Sequence, residues 1–143
     1  MFSGNQSYKV DTQGRLPVPP RWRSSFAGVV KVTHGEDKRC LYVYTAPDWE
    51  RRGSSINNRD DSPDKSKAMY RFFGFTEELD IDKQGRVQLP QDYRNYAHLS
   101  TDAVVVGMLD HLEIWSPDGW RELVEGLEPE DSKEEGGEEE EPP

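Results

Sequence analysis

The sequence predicts a mainly β fold with short helices (α+β), in which two tandem β-β-α-β-β-α repeats close one small barrel. The repeat is visible directly, because residues 8–19 reappear as residues 79–90 at an offset of 71. Each copy carries the motif Asp-x-Gln-Gly-Arg between two stretches of alternating apolar and polar residues, which is typical of a β-hairpin. One such unit is too small to bury its own core, so we expect the two copies to pack together.

The first elements of each unit are two strands joined by that motif. Tyr8 and Val10 alternate in the first strand, Leu16 and Val18 in the second, and the second copy has equivalent apolar residues. The Asp side chain accepts backbone N–H groups and the Gly tolerates a positive φ, so both favour a tight connection. Proline ends the second strand and suits the first turn of a helix, which predicts short helices over 20–27 and 91–98.

Two further strands and a helix complete each unit. Alternation and turn residues predict strands over 29–33 and 41–44 in the first copy, and over 103–106 and 112–115 in the second. A helix with Trp49 or Trp120 on its inner face follows each pair, and the polar stretch from Arg51 to Lys67 predicts a mobile connection. The predicted organisation is repeat 1 over 5–48, a helix and polar linker over 49–75, repeat 2 over 76–119, a C-terminal helix over 120–127 and a disordered acidic tail over 128–143.

The net charge of −10 is unevenly distributed along the chain. Residues 125–143 hold ten acidic residues and one lysine, so they contribute −9 of that total. Residues 1–74 hold 13 Lys and Arg against 8 Asp and Glu, or +5, whereas residues 75–124 hold 4 against 10, or −6. Because the local field steers a charged partner, the overall negative charge does not exclude nucleic acid.

Cellular location is predicted from three features. The sequence has no apolar run near the roughly 20 residues of a membrane span. It also opens without a basic-then-apolar leader. The single Cys40 sits in a strand-like stretch, where packing in a reducing compartment is its expected role. We therefore expect a cytoplasmic protein.

The duplicated motif is the predicted binding site. A turn does not need an arginine, and the guanidinium groups of Arg15 and Arg86 suit phosphate oxygens and the guanine edge. The neighbouring polar side chains would add contacts to bases, sugars or phosphates: Lys83, Gln13, Gln84 and Thr12. The structural alternative is that the Asp residues accept turn amides and pair with the arginines. That alternative accounts best for the turn-forming residues Asp11, Gly14, Asp82 and Gly85.

Other polar residues predict little chemistry. Arg23 and Arg94 recur in register, which suggests that they brace the barrel through a carboxylate partner. The three histidines have no spacing typical of a zinc site, and no nucleophile stands in a recognisable setting. We therefore expect a protein that is not an enzyme and that uses no metal, no cofactor and no small-molecule substrate.

Motifs in both halves of the chain match one known family. The first half contains Met1-Phe2-x-Gly4, Asp11-x-x-Gly14-Arg15-Leu16-x-Val18-Pro19 and Cys40-Leu41-Tyr42-Val43-Tyr44. The second half contains Arg71-Phe72-Phe73, Leu79-Asp80-x-Asp82-Lys83-Gln84-Gly85-Arg86-Val87-x-Leu89-Pro90, Tyr93-Arg94-x-Tyr96-Ala97 and Leu112-Glu113-Ile114-Trp115. With these motifs, residues 1 to about 124 resemble the MraZ family, bacterial transcriptional regulators with two tandem SpoVT-AbrB domains.

The resemblance implies an AbrB-like, double-split or swapped-hairpin β-barrel and a ring-shaped homo-oligomer. It also implies a nucleoid-associated protein that binds short direct repeats in double-stranded DNA, in the promoter of the division and cell-wall gene cluster, and typically represses it. The DNA contacts of the family carry over to Arg15 and Arg86, and then to Lys83. In the first copy the family usually has Lys directly before Gly, and this chain has Gln13 there instead.

A second hypothesis is an antitoxin-like or scaffold module whose barrel binds another protein. A toxin-binding antitoxin would be expected to place a long recognition segment with apolar residues after its barrel. The sequence after Leu127 is almost purely acidic, which argues against this hypothesis.

Overall fold

The computed structural model describes residues 1–129, which form a mainly β fold with short helices, as the sequence predicts. The strands in that range are β1 (Phe2–Lys9), β2 (Arg15–Pro17), β3 (Val29–His34), β4 (Leu41–Tyr44), β5 (Glu77–Asp80), β6 (Arg86–Gln88), β7 (Asp102–Leu109) and β8 (Leu112–Trp115). The helices are α1 (Pro20–Arg23), α2 (Ala46–Asn57), α3 (Pro63–Gly74), α4 (Gln91–Tyr96) and α5 (Pro117–Leu127). The predicted acidic tail lies outside the described residues from position 130 onward.

The two repeats exchange their first strands. A six-stranded antiparallel sheet has the order β1-β7-β8-β4-β3-β5, and β2 pairs with β6 in a separate two-stranded ribbon. Strand β1 of the first repeat therefore pairs with β7 of the second, while β5 of the second pairs with β3 of the first. Neither repeat completes its sheet without the other, which explains why one copy alone is insufficient.

The offset between equivalent residues changes from 71 to 73 and back to 71 along the chain. In the exchanged pairs, Tyr8 lies opposite Ala103 and Leu79 lies opposite Val30. Tyr8 and Leu79 are 71 positions apart, but Val30 and Ala103 are 73 apart. The connection before β7 is thus two residues longer than its counterpart before β3, and the β7–β8 turn is correspondingly shorter. The sequence offset of 71 holds for the hairpin motif and for β4 and β8, but not for β3 and β7.

Apolar side chains divide into two clusters on opposite faces of the central strands. Leu41 and Val43 of β4 point into the barrel core, which also contains Leu16 and Leu89 from the two-stranded ribbon. The alternate residues of β4 point outward into a second cluster, which is covered by α2 and α3 and includes Tyr42, Tyr44, Ile56, Ala68 and Phe72. Each fully buried large apolar side chain contributes roughly 1.5–3 kcal/mol to the free energy of unfolding.

Helix α1 is shorter than predicted. It ends at Arg23 and continues as a 3-10 turn over Ser24–Phe26. The buried side chains of Trp22 and Phe26, four residues apart, still face the barrel core as expected for one face of a helix.

The connection between the repeats is helical over most of its length rather than mobile and irregular. Ser62 accepts a hydrogen bond from the backbone N–H of Lys65 at 3.0 Å and is followed by Pro63, so a new helix begins there. Trp49 and Ile56 are two helical turns apart on α2, and both pack in the outer cluster. Because most residues of the segment are polar, its apolar face was not recognised in the sequence. None of the helices in the described part of the chain is long and apolar enough to span a membrane.

Candidate nucleic-acid interface

The first Asp-x-Gln-Gly-Arg motif forms a closed turn between β1 and β2. The Asp11 carboxylate oxygen Oδ1 accepts hydrogen bonds from the backbone N–H groups of Gln13 and Arg15, both at 2.9 Å. The backbone N–H of Gly14 donates to the Asp11 carbonyl at 2.9 Å, and Gly14 has φ of +84°. A positive φ of this size favours glycine, so Asp and Gly together fix the path of the turn.

The second motif repeats this arrangement between β5 and β6. The Asp82 oxygen Oδ1 accepts from the backbone N–H groups of Gln84 at 2.8 Å and Arg86 at 2.9 Å. The backbone N–H of Gly85 donates to the Asp82 carbonyl at 2.9 Å, and Gly85 has φ of +80°. The two turns therefore present their arginines from the same backbone position.

Each arginine also pairs with the aspartate of its own turn. Arg15 Nε donates to Asp11 Oδ2 at 2.6 Å, and Arg86 Nε donates to Asp82 Oδ2 at 3.2 Å. The side chains of Arg15 and Arg86 are 34% and 29% exposed. Because each of these pairs uses Nε, it leaves the terminal nitrogens of the arginine to other partners.

The same contacts hold both aspartates ionised. The backbone N–H and then the side chain of Arg15 lower the pKa of Asp11 from its ordinary 3.8 to about 2. The backbone N–H of Arg86 lowers the pKa of Asp82 in the same way. Each turn is thus a carboxylate surrounded by donors, with a guanidinium directed by it.

The two turns lie side by side because β2 pairs with β6. Leu16 lies opposite Val87 in that ribbon, and the backbone N–H of Leu89 donates to the Gly14 carbonyl at 2.9 Å. Arg86 Nη1 lies 3.9 Å from Asp11 Oδ2, so the arginine of one turn approaches the carboxylate of the other. The motifs, 71 residues apart in sequence, form one continuous surface.

Arg23 and Arg94 belong to this surface, although not through a carboxylate as the sequence suggested. Arg23 Nη2 donates to the Val18 carbonyl at 2.9 Å, and Arg94 Nε donates to the Leu89 carbonyl at 3.0 Å. The prediction of a carboxylate partner was therefore wrong, since backbone carbonyls just beyond β2 and β6 accept these bonds. Recurrence of both arginines in register was the signal in the sequence.

Each of these arginines packs against the turn of the other repeat. A Cβ atom on Gly14 would lie 2.7 Å from Arg94 Nε, and one on Gly85 would overlap the Arg23 guanidinium. Glycine is therefore required at both positions for close approach as well as for its positive φ. The helix of one repeat thereby supports the turn of the other.

The remaining predicted contact residues stand at the outer edge of the turns. All four are exposed: Thr12, Gln13, Lys83 and Gln84. The Gln13 carbonyl accepts a hydrogen bond from Gln88 Nε2 at 3.0 Å, which joins the first turn to β6. The turns at 11–15 and 82–86, together with Arg23 and Arg94, carry a net charge of +3. This surface is basic although the chain as a whole is acidic.

Other titratable residues serve packing. His34 stacks on Tyr96 with ring centroids 3.7 Å apart, and Arg21 lies over the ring of Trp22 at 4.3 Å. Cys40 is buried, and burial raises the pKa of its thiol. Within residues 1–129, no group of three or more His, Cys, Asp or Glu side chains is arranged to hold a metal ion.

Comparison with known proteins adds independent information. Residues 1–71 and 72–139 each match a family model described as "MraZ protein, putative antitoxin-like". The two matches begin 71 positions apart, which is the offset of the repeat in the sequence. The chain is also 36% identical over 128 residues to a protein of Thermomicrobium roseum named "Transcriptional regulator MraZ", and the alignment covers 89% of each chain.

Proposed function

Because the chain belongs to the MraZ family, we propose that it is a sequence-specific regulator of transcription that binds double-stranded DNA through its two Asp-x-Gln-Gly-Arg turns. The observation that carries this proposal is the juxtaposition of the two turns, with Arg86 Nη1 3.9 Å from Asp11 Oδ2. Two directed guanidinium groups on one exposed surface match a repeated, polyanionic ligand better than a small molecule.

The arginines are the groups that read the DNA in this proposal. Arg15 and Arg86 are each directed by a carboxylate through Nε, and their terminal nitrogens reach base edges or phosphates. Lys83 adds a phosphate contact, and the exposed side chains of Gln13, Gln84 and Thr12 supply hydrogen bonds to bases or backbone.

The two turns contribute unequally. Lys83 in the second turn corresponds to the uncharged Thr12 in the first, and the first turn has Gln13 where the family usually has Lys. The second turn therefore holds phosphates more strongly, and the first contributes mainly through Arg15.

A single copy offers a small contact area, so self-association is part of the proposal. Copies arranged in a ring-shaped homo-oligomer bind short direct repeats with avidity, since linked sites raise the effective concentration of each other. On the resemblance to the family, the target is the promoter of the division and cell-wall gene cluster, the effect is repression, and the location is the cytoplasm at the nucleoid.

The test measures, by gel retardation, how tightly the double variant Arg15→Ala/Arg86→Ala binds a promoter fragment of that gene cluster. Losing two arginine contacts lowers affinity at least about 30-fold, given that each bidentate contact contributes about 1–3 kcal/mol. Arg51→Ala is the matched control, because Arg51 is exposed and, among residues 1–129, pairs with Asp48 alone. Equal affinity of the double variant and the control would contradict the site, provided that both elute like the wild type.

The operator is found separately, by selecting bound genomic fragments with the wild-type protein. The proposal predicts that the selected fragments contain short direct repeats. Enrichment of fragments without any repeated element would contradict the avidity argument while leaving the contact residues open to the first test.

A further inference from the structure

Helices α2 and α5 occupy equivalent places in the two repeats but are covered differently. Ile56 of α2 corresponds to Leu127 of α5, at the offset of 71. Ile56 is 2% exposed, because α3 packs over α2 and contributes Ala68 and Phe72 to the same cluster. Leu127 is 71% exposed. The second repeat therefore lacks, within residues 1–129, the covering helix that the first repeat has.

Helix α5 nevertheless carries an apolar stripe suited to a helical partner. Trp120, Leu123, Val124 and Leu127 follow the spacing i, i+3, i+4, i+7 along one face. No residue of α5 is fully buried: Trp120 and Leu123 pack partly against the outer cluster of the same chain, whereas Leu127 at the end of the helix stays exposed. Residues 130–143 contain no apolar side chain apart from proline.

Helix α3 presents a complementary surface on its outer side. While Phe72 packs inward, Tyr70 and Phe73 are 73% and 41% exposed. These two side chains and Met69 line a shallow groove, with Lys65 and Ser62 at its polar edge. Exposed aromatic side chains beside a groove are typical of a protein contact rather than of a free surface.

The charges of the two helices are opposite. Helix α3 carries Lys65, Lys67 and Arg71 against Asp64, a net charge of +2. Helix α5 carries acidic residues at 118, 122 and 125 against Arg121, a net charge of −2. Opposite fields favour approach of these two surfaces and disfavour contact of either one with its own copy.

We propose that the outer face of α3 in one copy receives the exposed C-terminal end of α5, at Leu127, from a second copy, in a head-to-tail contact. The inference rests on the self-association proposed above and names the surfaces that make it. Such a contact is heterologous: each copy offers one donor and one acceptor surface, so successive copies close into a ring when the rotation between them permits.

The contact is tested with two full-length variants, Tyr70→Asp and Leu127→Asp, measured by sedimentation without DNA. Both positions are exposed, so neither change disturbs the folded chain. Each variant alone is expected to sediment as a monomer. An equimolar mixture is expected to form a dimer of twice that mass, because one variant retains α5 and the other retains α3. The two surfaces left over both carry an added aspartate, so the mixture stops at the dimer.

Met108→Asp is the control, since Met108 is an exposed apolar residue on β7, outside both surfaces. It is expected to keep the mass of the wild type. A monomeric wild type, either of the two variants at wild-type mass, or a mixture that stays monomeric would each overturn the proposal. The variant Arg15→Ala/Arg86→Ala keeps the wild-type mass here, so loss of DNA binding and loss of assembly are separable.

Discussion

At the scale of single residues, the aspartate and the arginine of each turn have different roles. Asp11 accepts two backbone N–H groups through one oxygen and the Arg15 side chain through the other. The carboxylate therefore fixes both the backbone and the direction of the guanidinium. An arginine held in this way loses less conformational entropy when it binds, which favours affinity without additional contacts.

Removing a supporting arginine should weaken DNA binding without direct loss of a turn residue. Arg94→Ala takes away the group that packs on Gly14 and that donates to the Leu89 carbonyl. We expect the affinity for DNA, measured by fluorescence anisotropy, to fall several-fold, because the first turn loses the side chain that packs against it.

The variant Arg94→Lys is the control for charge in that experiment. Lysine keeps the positive charge but lacks the planar guanidinium, so it cannot reproduce both the packing and the hydrogen bond. We expect Arg94→Lys to bind nearly as weakly as Arg94→Ala. Full recovery of affinity by lysine would show that Arg94 acts only through its charge.

The lowered pKa of Asp11 makes a prediction about acid stability. Its pKa in the folded protein is about 2, below the ordinary 3.8. The stabilisation by ionised Asp11 is therefore fully present above pH 3.8 and is lost as the pH falls toward 2. The free energy of unfolding should fall over this range, and Asp11→Asn should flatten that fall in urea titrations. An unchanged pH dependence in Asp11→Asn would refute the assigned pairing.

Residue types in the sequence predicted much of this site, but not its geometry. The Asp and Gly positions carry their own turn chemistry, so Asp11 and Gly14 were readable as turn residues. The approach of Arg86 to Asp11 depends on the β2–β6 pairing between repeats. The supporting roles of Arg23 and Arg94 depend on the same pairing, because their glycine neighbours belong to the opposite repeat.

At the scale of secondary-structure elements, the seam between β4 and β8 joins the two repeats. Tyr42 lies opposite Glu113 at its centre. Glu113 is 3% exposed and accepts hydrogen bonds from Trp115 Nε1 at 2.9 Å and from the His111 ring at 3.0 Å. Burial acts to raise the pKa of Glu113, but the hydrogen bonds from His111 and Trp115 hold it below its ordinary value.

Removing the charge of this buried carboxylate should lower the free energy of unfolding. Glu113→Leu keeps most of the volume of the side chain but leaves the buried Trp115 indole N–H without its acceptor. A buried donor without an acceptor costs about 1–3 kcal/mol. We expect urea denaturation to report a loss of that size, with DNA affinity unchanged once the protein is folded. A stability equal to that of the wild type would mean that the hydrogen bonds at this seam contribute nothing net.

Elements were predicted unevenly for a physical reason. Strands β4 and β8 are mostly apolar and lie where the sequence predicts. Strand β1 begins at Phe2, six residues before the predicted alternation of Tyr8 and Val10. Helix α3 was not predicted, because Ser62-Pro63 begins it within a charged stretch, where the apolar face appears only from Ala68 onward. Strand β7 extends to Leu109, beyond the predicted Val106, because β1 of the other repeat pairs along its whole length.

At the scale of the whole molecule, exchange of first strands makes the two repeats one folding unit. Strand β1 depends on β7, and β5 depends on β3, so neither repeat retains its sheet when the other unfolds. We expect a single cooperative unfolding transition. Tryptophan fluorescence, which reports on Trp22 in one repeat and Trp115 in the other, should coincide with far-ultraviolet circular dichroism. Two separate transitions would contradict the interdependence of the repeats.

The central claim is that both turns meet DNA phosphates and bases as one surface, and the salt dependence of binding tests it most directly. The slope of log Kd against log salt concentration counts the phosphate charges that a protein neutralises, at about 0.9 per contact on duplex DNA. If both arginines bind phosphates, Arg15→Ala/Arg86→Ala should reduce that slope by about 1.8 relative to the wild type and to Arg51→Ala. If one or both arginines contact base edges instead, the salt slope decreases less, and the variant loses affinity mainly for the specific DNA sequence rather than for non-specific DNA. A double variant with the wild-type slope and the wild-type preference for specific DNA would contradict the claim.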